Sequence, residues 1–167
     1  MSESPDLAAS ELLRWLTVTA DNWRRLLTAN PTLLAAPCDI AGATTVAGLI
    51  QHIVAVQLRY AERLALLPIT DYADIPTTSV QSLFSVHDRS LILFQQLLSA
   101  EIDWQERIEF GTRTLGTMRA SRRFILFHAM THGIRHYAQL AVLARQHGVK
   151  PDWSMDLLLL DEEHVPS

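Results

Sequence analysis

Apolar residues recur along this chain at three- and four-residue intervals in four long stretches, separated by polar connections that contain proline and glycine. In the first stretch Leu12, Leu13, Leu16, Ala20, Trp23 and Leu27 fall on one side of a helix. Ser4-Pro5 reads as its N-cap followed by proline at the first helical position, and Asn30-Pro31 as its stop. A loop through Pro37 and Gly42 leads to Thr44-Thr45, a second cap, after which Leu49, Ile53, Val56 and Tyr60 form a stripe that ends before Pro68. Beyond a loop from Asp71 to Pro76, a third helix starts near Thr78 or Ser79 and carries Phe84, His87, Leu91, Phe94 and Leu98. The segment from Ile102 to Gly116 loses this period and predicts a short hairpin or an irregular crossover. Thr117 is then expected to cap a fourth helix that stops at Gly148, with Pro151 beyond it and a short closing helix between Trp153 and Leu160. Four long amphipathic helices predict an all-α four-helix bundle, and 167 residues fit one domain spanning 1–167.

Composition narrows the functional classes. Almost half the residues are hydrophobic and 19% are charged, which excludes a disordered chain. A formal net charge of −4 argues against a general nucleic-acid binder, which needs a surplus of Lys and Arg. Two small basic groups, Arg14 with Arg24 and Arg25, and Arg119 with Arg122 and Arg123, read as solvated helix faces. Cys38 is the only cysteine, so no internal disulfide forms and a reducing compartment is expected. The opening MSESPDLAAS has neither a positive region nor an apolar run, and no stretch approaches about 18 unbroken apolar residues. A soluble cytoplasmic protein without membrane contact is the expectation.

The chemistry concentrates in HAMTHGIRHYAQ, where His128, His132 and His136 repeat every fourth residue within an arc of about 80° on the fourth helix. Ile125, Gln139 and Leu143 share that arc, so the three rings are expected to face the bundle interior. One buried histidine is ordinarily a hydrogen-bonded core residue. Three on successive turns, buried without strong partners, would cost on the order of 1–3 kcal/mol each. A divalent cation removes that cost by coordinating neutral imidazole nitrogen. An H-x-x-x-H pair puts two rings on one ion, and a third ligand must come from another helix. His52, on the second helix with Leu49 and Val56, is the natural candidate, and His87 on the third is its rival, favoured here for a packed or supporting role. His147 in the last turn of the fourth helix reads as structural, and His164 in the tail as inert.

LIQHIVAVQLRYAERL on the second helix and HAMTHGIRHYAQLAVLARQHGVKPDW on the fourth together resemble the DinB/YfiT-like superfamily of metal-binding four-helix bundles. The resemblance implies one histidine ligand on the second helix and a histidine pair followed by glutamine on the fourth, which here are His52, His132, His136 and Gln139. The closing arginine, glycine and proline of that pattern correspond to Arg145, Gly148 and Pro151. In that register His128 stays outside the ligand set, beside the ion or lining its pocket. Many members carry arginine and glycine after the last ligand, where this chain has Tyr137, expected with Gln139 and Arg135 to support the ligands or line the pocket, and Ala138. Arg135, one residue before the ligand, is positioned to replace that arginine in part.

Three neutral histidines leave a divalent ion, zinc or nickel, with its charge and at least one open position, as catalytic sites require. By resemblance, the expected function is a metal-dependent thiol S-transferase or related detoxifying enzyme acting on a small molecule with a low-molecular-weight thiol. Arg59 and Arg63 lie on roughly the same side of the second helix as His52 and are candidates for anion contact or simple extension to solvent. The alternatives are a non-catalytic metal- or ligand-binding stress protein and a metal-dependent hydrolase. Hydrolysis would want a carboxylate base beside the pair, where the chain has Gly133. Apolar stripes on the first and third helices and four tryptophans further predict a homodimer.

Overall fold

The computed structural model describes residues 8–112 and 116–161. Four helices, α1 (Ala9–Ala29), α2 (Val46–Leu64), α3 (Val80–Ser99) and α4 (Arg122–Gln146), build a predominantly helical bundle. The Ser4-Pro5 cap proposed for α1 lies outside the described residues. Within them, the Glu11 carboxylate accepts from the Ala8 N–H at the helix start. Thr45 and Ser79 cap α2 and α3 through their side-chain oxygens, which accept from the N–H groups of Gly48 and Ser82. At its far end α4 stops where Gly148 adopts φ +77°, a conformation that glycine takes without strain.

α1 packs on α3 and α4, and α2 packs on the same two, so α1 and α2 stand diagonally across the bundle, as do α3 and α4. Their shared core holds Leu16, Trp23, Leu49, Ile53, Leu58, Leu83, Phe84, Phe94, Tyr137 and Leu140, all essentially without solvent contact. The predicted apolar stripe of α1 is buried throughout. Those of α2 and α3 are buried at Leu49, Ile53, Phe84, His87 and Phe94, and half-buried at Val56, Tyr60, Leu91 and Leu98.

The connection from α3 to α4 is a hairpin, not an irregular crossover. Strands β1 (Arg107–Gly111) and β2 (Thr117–Ser121) pair antiparallel with Ile108 opposite Ala120 and Phe110 opposite Met118. Thr117 therefore lies in a strand and caps nothing. The cap of α4 is Ser121, whose hydroxyl accepts from the Phe124 N–H, and the helix begins at Arg122. Arg122 fastens this corner: its guanidinium donates to the Leu64 carbonyl at the end of α2 and to Glu106. The hairpin is thereby held over the α2–α4 seam, with Phe110 edge-on against Tyr60.

The closing segment is a 3-10 turn, Leu157–Leu160, in place of an α-helix. The chain leading to it crosses α1, where Trp15 donates to the Met155 carbonyl and Arg25 pairs with Asp152. No helix among the described residues is long and apolar enough to cross a membrane.

Candidate metal centre

α4 is buried over more than half its circumference, because it touches both α1 and α2. At 100° per residue its buried arc is centred on Gly133, about 100° from His132. His132 and His136 occupy one edge of that arc, and His128, Gln139 and Arg135 lie just beyond it, exposed. The expectation that all three histidines face the interior is corrected accordingly. His132 and His136 are 7% and 4% exposed, whereas His128 is a rim residue whose ring meets Tyr60 and His132 edge-on or tilted.

Gly133 explains how α2 comes close enough to complete the cluster. A Cβ at Gly133 would sit 2.7 Å from Gln57 Nε2 and 2.9 Å from Leu16 Cδ1, and both of those side chains are fully buried. The missing side chain thus lets α4 settle against α1 and α2 together. His52, one turn before Val56 on α2, then reaches His132 with Nε2 to Nε2 at 3.1 Å. The ring centroids of His52, His132 and His136 lie 4.4–5.0 Å apart.

One nitrogen from each of these three rings lies within 4.8 Å of the others, a group that can hold a metal ion. Metal–imidazole bonds of about 2 Å place ligand nitrogens about 3–4 Å apart, so the widest pair needs only a small ring rotation to close on an ion. The donor set fits in protonation as well. Burial first, and then the neighbouring histidines and Arg135, push His132 down to about 2, and burial lowers His136 in spite of its bond to Gln139. Both rings are therefore neutral at physiological pH, with lone pairs available.

The tautomer of His136 follows from its partners. Arg135 Nη2 lies 3.1 Å from His136 Nε2, and a guanidinium can only donate, so Nε2 carries the lone pair. The proton is on Nδ1, which donates to Gln139 Oε1 at 2.6 Å. Such a bond on the remote nitrogen fixes the ring and raises its basicity as a ligand. Gln139 and Arg135 thus both touch His136.

Two other candidates stand elsewhere. Tyr137 does not line the site: its ring is fully buried and stacks on Trp23 of α1 at 6.2 Å, and burial raises its hydroxyl. One position past His136 turns the side chain about 100°, from the edge of the buried arc toward its interior. His87 is a core residue paired through Nδ1 with Gln57 Oε1 at 2.7 Å. His147 is the C-cap residue of α4, and His164 lies outside the described residues.

The two arginines of α2 divide. Arg59 donates to the Thr70 carbonyl and helps pin the loop after α2, together with Glu62, which accepts from the Thr70 N–H and hydroxyl. Arg63 stands over the rings of Tyr60 and Phe110 at 5.3 and 5.1 Å. Sequence reasoning missed Phe110 and Gln57. The alternation of Ile108 and Phe110 with polar neighbours was the signal for the first, and nothing in the local pattern marks the second.

The DinB family model matches residues 1–164 of the chain. Curated proteins give no significant match.

Proposed function

The chain belongs to the DinB family, and from that premise we propose that His52, His132 and His136 hold a divalent metal, zinc or nickel, at the centre of a thiol S-transferase or related detoxifying enzyme. The observation that carries the reading is the convergence of three ring nitrogens, from His52, His132 and His136, at the edge of the buried arc, where one side meets solvent. A divalent ion on three uncharged ligands keeps its charge and an open position, and lowers the pKa of a thiol or water bound there.

The chain's own residues supply the rest. Gln139 orients His136 and Gly133 keeps His52 within reach. Tyr60, Phe110 and His128 form an aromatic wall beside His132 against which an electrophilic substrate packs. In the proposed reaction the thiol sulfur forms a bond to an electrophilic carbon, the leaving group departs with its electron pair, and the thiol proton passes to solvent. The three-histidine group contains no carboxylate among the described residues, which favours the transferase reading over a hydrolase. A cytoplasmic setting suits this chemistry, since it keeps both Cys38 and a small thiol reduced.

The test is cobalt substitution. Protein purified without a polyhistidine tag should take up one cobalt per chain, and added thiol should produce a thiolate-to-cobalt charge-transfer band. Stoichiometric cobalt with no band at any thiol concentration would leave a non-catalytic metal-binding protein as the better reading. Ala at His52, His132 or His136 should abolish stoichiometric uptake, whereas His128→Ala should weaken it about 10- to 100-fold, as residues supporting a ligand do. A larger loss for His128→Ala than for His136→Ala would mean that the other H-x-x-x-H pair binds.

A further inference from the structure

Arg135 is an exposed arginine that donates to the His136 nitrogen an ion must take. A guanidinium N–H and a metal cannot share one lone pair, so the two occupancies exclude each other. The acidic side chains that form ion pairs among the described residues are engaged elsewhere: Asp88 by Arg24, Asp152 by Arg25, Glu106 by Arg122, Glu62 by Arg89. Arg135 has no carboxylate partner among them. Nor has Arg63, whose cation rests on Tyr60 and Phe110 and connects to the cluster through the ring contacts of Tyr60 with His128 and of His128 with His132.

Resting on the metal reading above, we propose that metal binding displaces Arg135 from His136 and leaves its guanidinium as the counter-charge for a carboxylate on the molecule that enters the open face. The charge balance supports this directly. A divalent ion on three neutral imidazoles brings two positive charges and Arg135 adds a third at the rim, while among the described residues no carboxylate pairs with Arg135 or belongs to the three-histidine group. An anionic ligand offsets them, and the planar fork of arginine matches a carboxylate with two parallel hydrogen bonds. The cognate thiol or electrophile is therefore acidic.

The experiment compares mercaptoacetate with 2-mercaptoethanol as ligands of the cobalt-loaded full chain, followed by the charge-transfer band, in the wild type and in Arg135→Gln and Arg135→Lys. Acetate against acetamide, followed by the cobalt visible bands, reads the same preference without a thiol. The wild type should bind the anionic member of each pair at least about tenfold more tightly, the range of one charge-assisted hydrogen-bonded pair. Arg135→Gln should reduce that preference to what the ion alone gives, and Arg135→Lys should keep more of it. Arg135→Gln should also bind cobalt several-fold more tightly, because a competing donor and a like charge are gone. A merely structural arginine would give the opposite sign. Weaker cobalt binding in Arg135→Gln, or an anion preference there undiminished from the wild type, overturns the proposal while the metal reading stands. Failure of the wild type to take up cobalt overturns both.

Discussion

His136 is gripped at both ring nitrogens, by Gln139 on one and Arg135 on the other, and the two grips act in opposite senses. Gln139 presents the lone pair and Arg135 covers it. Gln139→Leu should therefore lower cobalt affinity about 10- to 100-fold without unfolding the protein, measured by competition with a chelator of known affinity. His87 makes a different demand. Burial lowers it from an ordinary value of 6.5 to about 4, with Asp88 opposing and Arg24 assisting. As pH falls, the unfolded chain takes this proton first. Its contribution is then complete above pH 6.5, declines through the interval down to about 4, and is lost below. One group with that shift is worth about 3 kcal/mol at full extent. Urea titrations of metal-free His87→Gln should show a correspondingly flatter stability profile between pH 6.5 and 4. An unchanged slope would mean that His87 is already protonated in the fold.

At the scale of elements, the placement of α4 decides the site, and here the sequence was only partly legible. The H-x-x-x-H spacing identified which residues share an edge of the helix, and the resemblance selected the register. Which edge is wet was not readable, because α4 contacts both α1 and α2 and its apolar residues wrap most of the way round. The histidine spacing alone therefore predicts His128 inside, whereas the structure puts it at the rim. Tyr137 failed for the same reason. The start of α4 differs from the expected one because Thr117 and Ser121 are both suitable cap residues, and only strand pairing with 107–111 decides between them. Gly133 is the residue on which this placement turns. Gly133→Ala gains helix propensity of about 1 kcal/mol, but its Cβ presses on buried Gln57 and Leu16. Overpacking of that kind costs about 1–3 kcal/mol. We expect a lower melting temperature and, since α4 must shift from α2, weaker cobalt binding. A variant of higher melting temperature would show that the seam has slack.

For the molecule as a whole, the caps at Thr45 and Ser79, the stop at Gly148 and three of the four stripes were readable, because local rules and burial agree there. The proposed homodimer rests on less than the sequence suggested. Of the tryptophans, Trp23 is fully buried, and Trp15, Trp104 and Trp153 are partly covered within the chain. The apolar surface left on these two helices includes the α1–α3 groove lined by Leu13, Val18 and Leu98, where Val18 is 41% exposed, and Ile92 of α3 outside that lining at 55%. If a second copy covers this groove, Val18→Glu with Ile92→Glu should halve the mass seen by light scattering. A monomeric wild type at high micromolar concentration would end the dimer proposal.

His52 and His132 are separated by 80 positions in the chain, yet their Nε2 atoms lie 3.1 Å apart. An ion shared by those rings ties together a loop that contains all of α3 and the hairpin, as a reversible cross-link. Because the unfolded chain has no such site, ligation adds to the unfolding free energy by mass action, about 4 kcal/mol at a free metal concentration one thousand times the dissociation constant. The melting curve of this bundle then becomes a gauge of metal supply, displaced upward by cobalt or zinc and returned by a chelator. Because the hairpin and α3 both lie inside the cross-linked loop, backbone amide exchange there should slow with loading.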